Sequence, residues 1–151
     1  MNLQEQKNIQ ISIERLDKEL ELPNFANEHD AGLDLRSAED QKLAPGEKKI
    51  VKTGIKVAIP EGYVGLIWDR SGMAAKYSMH TMAGVIDSGY RGEVGIVIIN
   101  LGTEDFYIEK GMRIAQMVIQ PVLNTKVIEV NKLAEEETER GAGGFGSSGL
   151  K

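Results

Sequence analysis

Apolar residues along this chain recur at every second position rather than every third or fourth. In NIQISIERL, Ile9, Ile11 and Ile13 alternate with polar neighbours, and in IVKTGIKVAIP, Val51, Thr53, Ile55, Val57 and Ile59 share one face. YVGLIW, EVGIVIIN and RIAQMVIQ are further β-rich runs, and turns such as APGEK and PEGY separate some of them. A period of two turns one side of a strand to a core, and many short strands broken by Gly and Pro predict a sandwich or barrel. Only SGMAAKYSM predicts a helix, and a short one. The expected fold is mostly β, a jelly-roll-like domain with one short helix and no internal repeat.

The pattern stops near Val130, where LAEEETER and then GAGGFGSSG follow. The first run is charged and the second rich in glycine, and neither can bury enough apolar surface to hold itself in place. The expected division is a β domain over 1–132 and a flexible C-terminal tail over 133–151. Arg140 and Phe145 stand out within that tail, because a plain linker needs neither.

Composition narrows the function. A chain of 151 residues suits one domain with its own core. No apolar run approaches the ~18 residues that span a bilayer, so no membrane partner is expected. The first ten residues lack the layout of a secretory signal, and cysteine is absent, which removes disulfides and thiolate chemistry. A cytoplasmic setting follows as the default. A net charge of −5 and eight aromatics argue against a nucleic-acid binder. A small anion remains possible if a few arginines and backbone N–H groups converge.

Five stretches carry candidate chemistry. In AGLDLRS, Asp34 reads either as a functional carboxylate or as the outward residue of an alternating strand. His29 and Asp30 lie close by, but no second histidine stands at ligand spacing, so a transition-metal site is not expected. In DRSGMAAK, Ser71 can cap the helix, Gly72 lets a ligand approach the backbone, and Arg70 stands beside free N–H groups that favour phosphate. AGVIDSGYRGEVGIVIIN reads as a hairpin or a tight bend between strands. Its Asp87 is either a general base on water or simply a turn residue. GMRIAQMVIQP places Arg113 and Gln116 on an apolar strand. In RGAGGFGSSG, Arg140 offers charge, Phe145 a stacking face, and the glycines with Ser147 and Ser148 offer donors to phosphate. The stretch lacks the ending of a P-loop and follows no strand–helix unit.

Taken in order, AGLDLRS, RSGMA, GVIDSGYRGEV, GMRIAQMVI and RGAGGFGSSG resemble the five motifs of the homotrimeric dUTPase family, from about Ala31 to Gly149. The resemblance implies a jelly roll that hydrolyses dUTP to dUMP and pyrophosphate, limiting uracil in DNA and supplying dUMP for dTMP synthesis. It also implies a homotrimer whose sites are shared. One subunit gives the first, second and fourth motifs, a neighbour the third, and the third subunit's tail closes the site. Fifteen extended residues reach roughly 50 Å, enough for such a tail.

By the same resemblance, Asp87 activates water for attack on the α-phosphorus, and Tyr90 packs under the deoxyribose and excludes a 2′-hydroxyl. Backbone at Ala83 and Gly84 reads uracil. Arg70, Ser71, Gly72 and Gln116 hold phosphates, while Asp34 holds Mg²⁺ through water. Arg140 reaches the γ-phosphate, Phe145 stacks on uracil, and Gly146, Ser147 and Ser148 complete the lid.

Three positions depart from the family pattern. Asp69 replaces a frequent proline, which implies a less rigid loop and a partly neutralised Arg70. Gly89 replaces an acidic residue, and Ser148 a threonine. The related dCTP deaminases share the fold but carry a catalytic glutamate where this chain has Val97, and typically a serine where it has Gly72. A non-catalytic nucleotide-binding or regulatory module is the other alternative, and the intact Asp87 speaks against it.

Overall fold

The computed structural model describes residues 9–131, and within them β-strands dominate as the alternation predicts. The strands are β1 (Ser12–Arg15), β2 (Gly32–Arg36), β3 (Gln41–Leu43), β4 (Lys48–Ala58) and β5 (Tyr63–Trp68), followed after a helix by β6 (Met79–Thr81), β7 (Val85–Ile86), β8 (Glu93–Asn100), β9 (Phe106–Ile108) and β10 (Arg113–Pro121). The helix, α1, covers Ser71–Tyr77. Two four-stranded antiparallel sheets form, with orders β1-β4-β8-β6 and β2-β10-β5-β7, and β3 pairs with β9 in a small third sheet.

The core lies where the inward faces of these sheets meet. Val94, Ile96 and Ile98 of β8 are buried at alternate positions, as are Val51, Ile55 and Val57 of β4. They pack with Leu33 and Leu35 of β2 and Ile114 and Met117 of β10. Thr53, on the same face of β4, is buried with its hydroxyl donating to the Val94 carbonyl at 2.5 Å. Asn100 is fully buried and satisfied. Its amide donates to the carbonyls of Leu43 and Glu104 and accepts the Gly102 N–H, which ties the end of β8 to the small sheet. β4 and β8 slip register between Lys52 and Lys56, at Gly54. That residue has φ 68, a left-handed value that a residue with a Cβ resists.

One local expectation is corrected and one open alternative is decided. The helix is shorter than SGMAAKYSM: Ser78 takes a left-handed φ of 54, its N–H closes on the Ala74 carbonyl, and Met79 begins β6. The IDSGYRG stretch is not a hairpin. β7 pairs with β5 in one sheet and β8 with β4 and β6 in the other, so this stretch is a bend that carries the chain between sheets. Among the described residues, no helix is long and apolar enough to cross a membrane. The proposed tail boundary falls at the edge of the described residues, and residues 133–151 lie outside them.

Candidate active site

Sheet register builds the first half of the site. Asp34 on β2 faces Gln116 on β10, and Gln116 faces Trp68 at the end of β5. Directly opposed residues share a face, so this row lies on the side of the sheet away from Leu33, Leu35 and Met117. Asp34 is therefore outward by alternation, yet it is only 6% exposed, because two arginines cover it. Arg70 Nε donates to one carboxylate oxygen at 2.9 Å, and an Arg113 terminal nitrogen donates to the other at 3.1 Å. Arg70 also reaches the Arg113 carbonyl at 3.3 Å. These mutual contacts aim the guanidinium groups without consuming all their donors.

Arg70 occupies the N-cap of α1, with extended backbone angles and no side-chain cap bond. Ser71 is therefore the first helical residue and not the cap, a correction to its expected role. Asp34, Arg70, Ser71, Gly72 and Gln116 line one cavity of about 300 Å³, with Asp30 at its edge. Gln116 is held over the sheet: its amide donates to the Asp69 carbonyl at 2.8 Å. A Cβ on Gly32 would lie 2.2 Å from the Gln116 side-chain oxygen and 3.0 Å from its Cβ, so glycine at 32 makes room for that side chain.

The second half is built on the bend after β7. The Tyr90 N–H donates to the Asp87 carbonyl at 3.0 Å, closing a turn, and the Arg91 guanidinium braces it through the Ser88 and Tyr90 carbonyls at 2.7 Å each. The Tyr90 hydroxyl donates to the Glu93 carbonyl at 2.8 Å, and its ring lies where a Cβ on Gly92 would be, 2.4–3.0 Å away. Asp87 is thus a turn residue, as one alternative had it. Its carboxylate is exposed and has no hydrogen bond or ion pair among the described residues, so it is open to a ligand or water. Just before β7, the Met82 N–H donates to the Val97 carbonyl and the Gly84 carbonyl accepts the Ile67 N–H. Ala83 and the Gly84 N–H have no backbone partner among the described residues and remain available to a ligand.

One chain does not bring the two halves together. Gly65 pairs with Ile86 and Leu66 with Val85. Continuing that register sets Asp87 beside Val64, while Arg70 lies past the opposite end of β5. The stretch from Val64 to Trp68 alone spans ~13 Å of strand. None of Ala83, Gly84, Asp87 and Tyr90 lines the Asp34–Arg70 cavity. Arg140, Phe145, Gly146, Ser147 and Ser148, the expected lid, lie outside the described residues.

Asp69 corrects another expectation. Its carboxylate does not neutralise Arg70. It accepts the Thr81 N–H at 2.6 Å and the Thr81 hydroxyl at 2.7 Å, and meets His80 Nδ1 at 2.7 Å. Burial pushes its pKa up, but the bonds from His80 and Thr81 outweigh that and hold it below the ordinary range. The loop before Arg70 is thereby tethered rather than loosened. Arg113 was visible only as a polar strand position; its partner, Asp34, is 79 residues away in sequence.

The donor set bears on Mg²⁺. Both Asp34 oxygens already face arginines, and one Asp30 oxygen accepts from Asn27 through backbone and side chain. Among the described residues no three His, Asp or Glu side chains converge. Such a pocket does not fit a metal caged by protein ligands. It fits a hydrated Mg²⁺ better, as a hard and strongly hydrated ion allows, and Asp34 would be the residue to hold it.

Comparisons with known proteins bear on the family. A family model described as dUTPase matches residues 18–149. The deoxyuridine 5'-triphosphate nucleotidohydrolase of Alkaliphilus metalliredigens is 46% identical over 143 residues, 93% of this chain and 98% of the relative. That of Clostridium acetobutylicum is 48% identical over 145 residues, 95% and 99% of the respective chains. Among solved structures, Staphylococcus bacteriophage 80alpha dUTPase with dUPNHPP is similar with a TM-score of 0.87 and 36% identity, over 93% of this chain and 99% of the other. A mutant dUTPase from phage phi11 of S. aureus, described as revealing the coordination of a structural Mg(II) ion, has a TM-score of 0.78 and 30% identity, over 83% and 99%. With a family model over most of the chain and relatives matched over nearly their whole length, this chain belongs to the dUTPase family.

Proposed function

We propose that the protein hydrolyses dUTP to dUMP and pyrophosphate, in the cytoplasm, as a homotrimer whose active sites each combine the two half-sites from different chains. The observation that carries this is the division just described: a cavity lined by Arg70, Ser71, Gly72 and Gln116 and a carboxylate-bearing turn, both built, on one chain but apart. The exposed apolar segment after β10 favours a neighbouring copy. Leu123 and Val127 are 90% and 93% exposed, and Ile128 71%. Covering each such side chain is worth roughly 1.5–3 kcal/mol.

In this site Arg70, Ser71, Gly72 and Gln116 bind the phosphates, and Ala83 and Gly84 present fixed N–H and C=O groups to uracil. Tyr90, its ring seated on Gly92, supports the deoxyribose and leaves no room for a 2′-hydroxyl. Asp87 takes a proton from water as the water oxygen bonds to the α-phosphorus; the bond from that phosphorus to the α,β-bridging oxygen breaks, and pyrophosphate departs. Arg70 and Arg113 stand against Asp34, so little net positive charge is left for a triphosphate. When bound, Mg²⁺ supplies the missing neutralisation and alignment, with Asp34 reaching it through water. Arg140, Phe145, Gly146, Ser147 and Ser148 are assigned to closing the site from a third chain. dCTP deamination is not favoured: Val97 lies in β8 opposite Ile50, so no carboxylate stands where that reaction needs one.

Asp87→Asn tests the assignment. We expect near-parental dUTP binding and kcat lower by about 10²–10⁴-fold, with the parent enzyme in H₂¹⁸O placing the label in dUMP. Label in pyrophosphate, or a near-parental kcat for Asp87→Asn, would contradict it.

A further inference from the structure

Asp69 stands between two segments that the reaction uses for different purposes. After it come Arg70, Ser71 and Gly72, on the phosphate cavity. Its carboxylate holds Thr81, which leads directly into Met82, Ala83 and Gly84. Its carbonyl accepts from Gln116, a third phosphate-side group. The bonds cross from the end of β5 in one sheet to β6 in the other, and pairing within a single sheet cannot make that link. α1 begins without a side-chain cap, so apart from the Ala74 N–H on its carbonyl, Arg70 is anchored by the Asp34 and Arg113 contacts.

We propose that Asp69 is a positioning residue for both halves of the substrate site, fixing the phosphate-binding turn and the uracil-reading segment to each other. This rests on the assignment of those two segments given above. Without the carboxylate, the Thr81 N–H and hydroxyl lose their acceptor. The base-reading segment then keeps the Met82–Val97 and Ile67–Gly84 bonds and the strand pairings on either side of it, but loses its link to the phosphate-binding turn. In the shared-site arrangement the two segments of one chain face neighbouring sites. In a homotrimer of the variant, every site therefore carries both defects, one from each contributing chain.

The test compares Asp69→Ala, Asp69→Asn and Arg70→Ala, each checked for melting temperature and oligomeric size. The measurements are kcat and KM for dUTP, inhibition by pyrophosphate, and the ratio of kcat/KM for dUTP over dCTP. Asp69→Ala should raise KM and weaken pyrophosphate inhibition by roughly 10-fold, as loss of the acceptor for the Thr81 N–H and hydroxyl implies. It should also narrow the dUTP-to-dCTP ratio by a similar factor. Asp69→Asn keeps an acceptor for Thr81 and should stay near the parent. Arg70→Ala should weaken pyrophosphate and leave the ratio unchanged. A lower melting temperature in Asp69→Ala with the ratio intact marks a merely structural residue and overturns the proposal. If Asp69→Ala does not fold, Thr81→Val, which lacks only the hydroxyl bond, must narrow the ratio; a parental ratio there overturns the proposal while an impaired Arg70→Ala still supports the phosphate site. If Arg70→Ala is silent, the phosphate assignment fails and this proposal with it.

Discussion

Gly72 separates what the fold needs from what the substrate needs. It lies in α1, and a Cβ built there meets no atom within 4 Å. The chain's own packing makes no demand for glycine, and alanine favours a helix by up to about 0.5–1 kcal/mol. Phosphate lying against that backbone would be displaced by the added methyl. Gly72→Ala is therefore expected to keep or raise the melting temperature while KM for dUTP rises at least ~10-fold; a parental KM would remove the phosphate from this position. At this scale the sequence was legible in kind but not in environment. Asp34 was visible as a carboxylate on a strand, but its burial depends on arginines 36 and 79 residues away. Asp69 beside Arg70 read as a neutralising charge, because nothing local tells that its oxygens turn to Thr81, 12 residues on.

Elements were legible where they are long enough to show their period. β8 alternates without a break through eight residues, and β4 places Val51, Thr53, Ile55 and Val57 on its buried face. β3 and β9 have three residues each, too few for a period, and exist because they pair with each other. β6 was hidden because Met79 continues a helix-like run; the left-handed Ser78 ends it. β7, with two residues, depends on its register with β5 and on Gly84. At φ 159 Gly84 lies so close to β5 that a Cβ would sit 2.5 Å from the Ile67 Cβ and 3.0 Å from its carbonyl oxygen. Gly84→Ala forces β7 away from β5, at a cost of about 1–3 kcal/mol, or roughly 2–10 °C in melting temperature for a chain of this size. Because the same shift moves the Ala83–Gly84 backbone, the preference for dUTP over dCTP should fall as well. An unchanged melting temperature and an unchanged preference would show that this approach is not required.

The whole molecule explains why two well-formed half-sites do not meet. The Asp34–Gln116 row and β7, which leads into the Asp87–Tyr90 turn, share one sheet, but the register of β5 and β7 holds the two half-sites apart. In the proposed homotrimer closed cyclic symmetry would resolve this, since one interface type can bring the phosphate half of each chain to the nucleoside half of the next. A neighbouring chain in that assembly would also cover Leu123, Val127 and Ile128. No periodicity in one chain reveals such an arrangement; it reached the sequence reading through the motif resemblance alone.

Mixing two inactive variants tests the shared site most directly. Arg70→Ala and Asp87→Asn chains, each assembled alone, are expected to hydrolyse dUTP poorly. When they are unfolded and refolded together in equal amounts, about a quarter of the sites (half with an intact Arg70, half of those with an intact Asp87) draw both groups from different chains. The account predicts a return of roughly that share of parental kcat, growing with the fraction of mixed trimers. Activity in the mixture no greater than the average of the two variants would contradict it, because a site contained in one chain cannot be repaired by another.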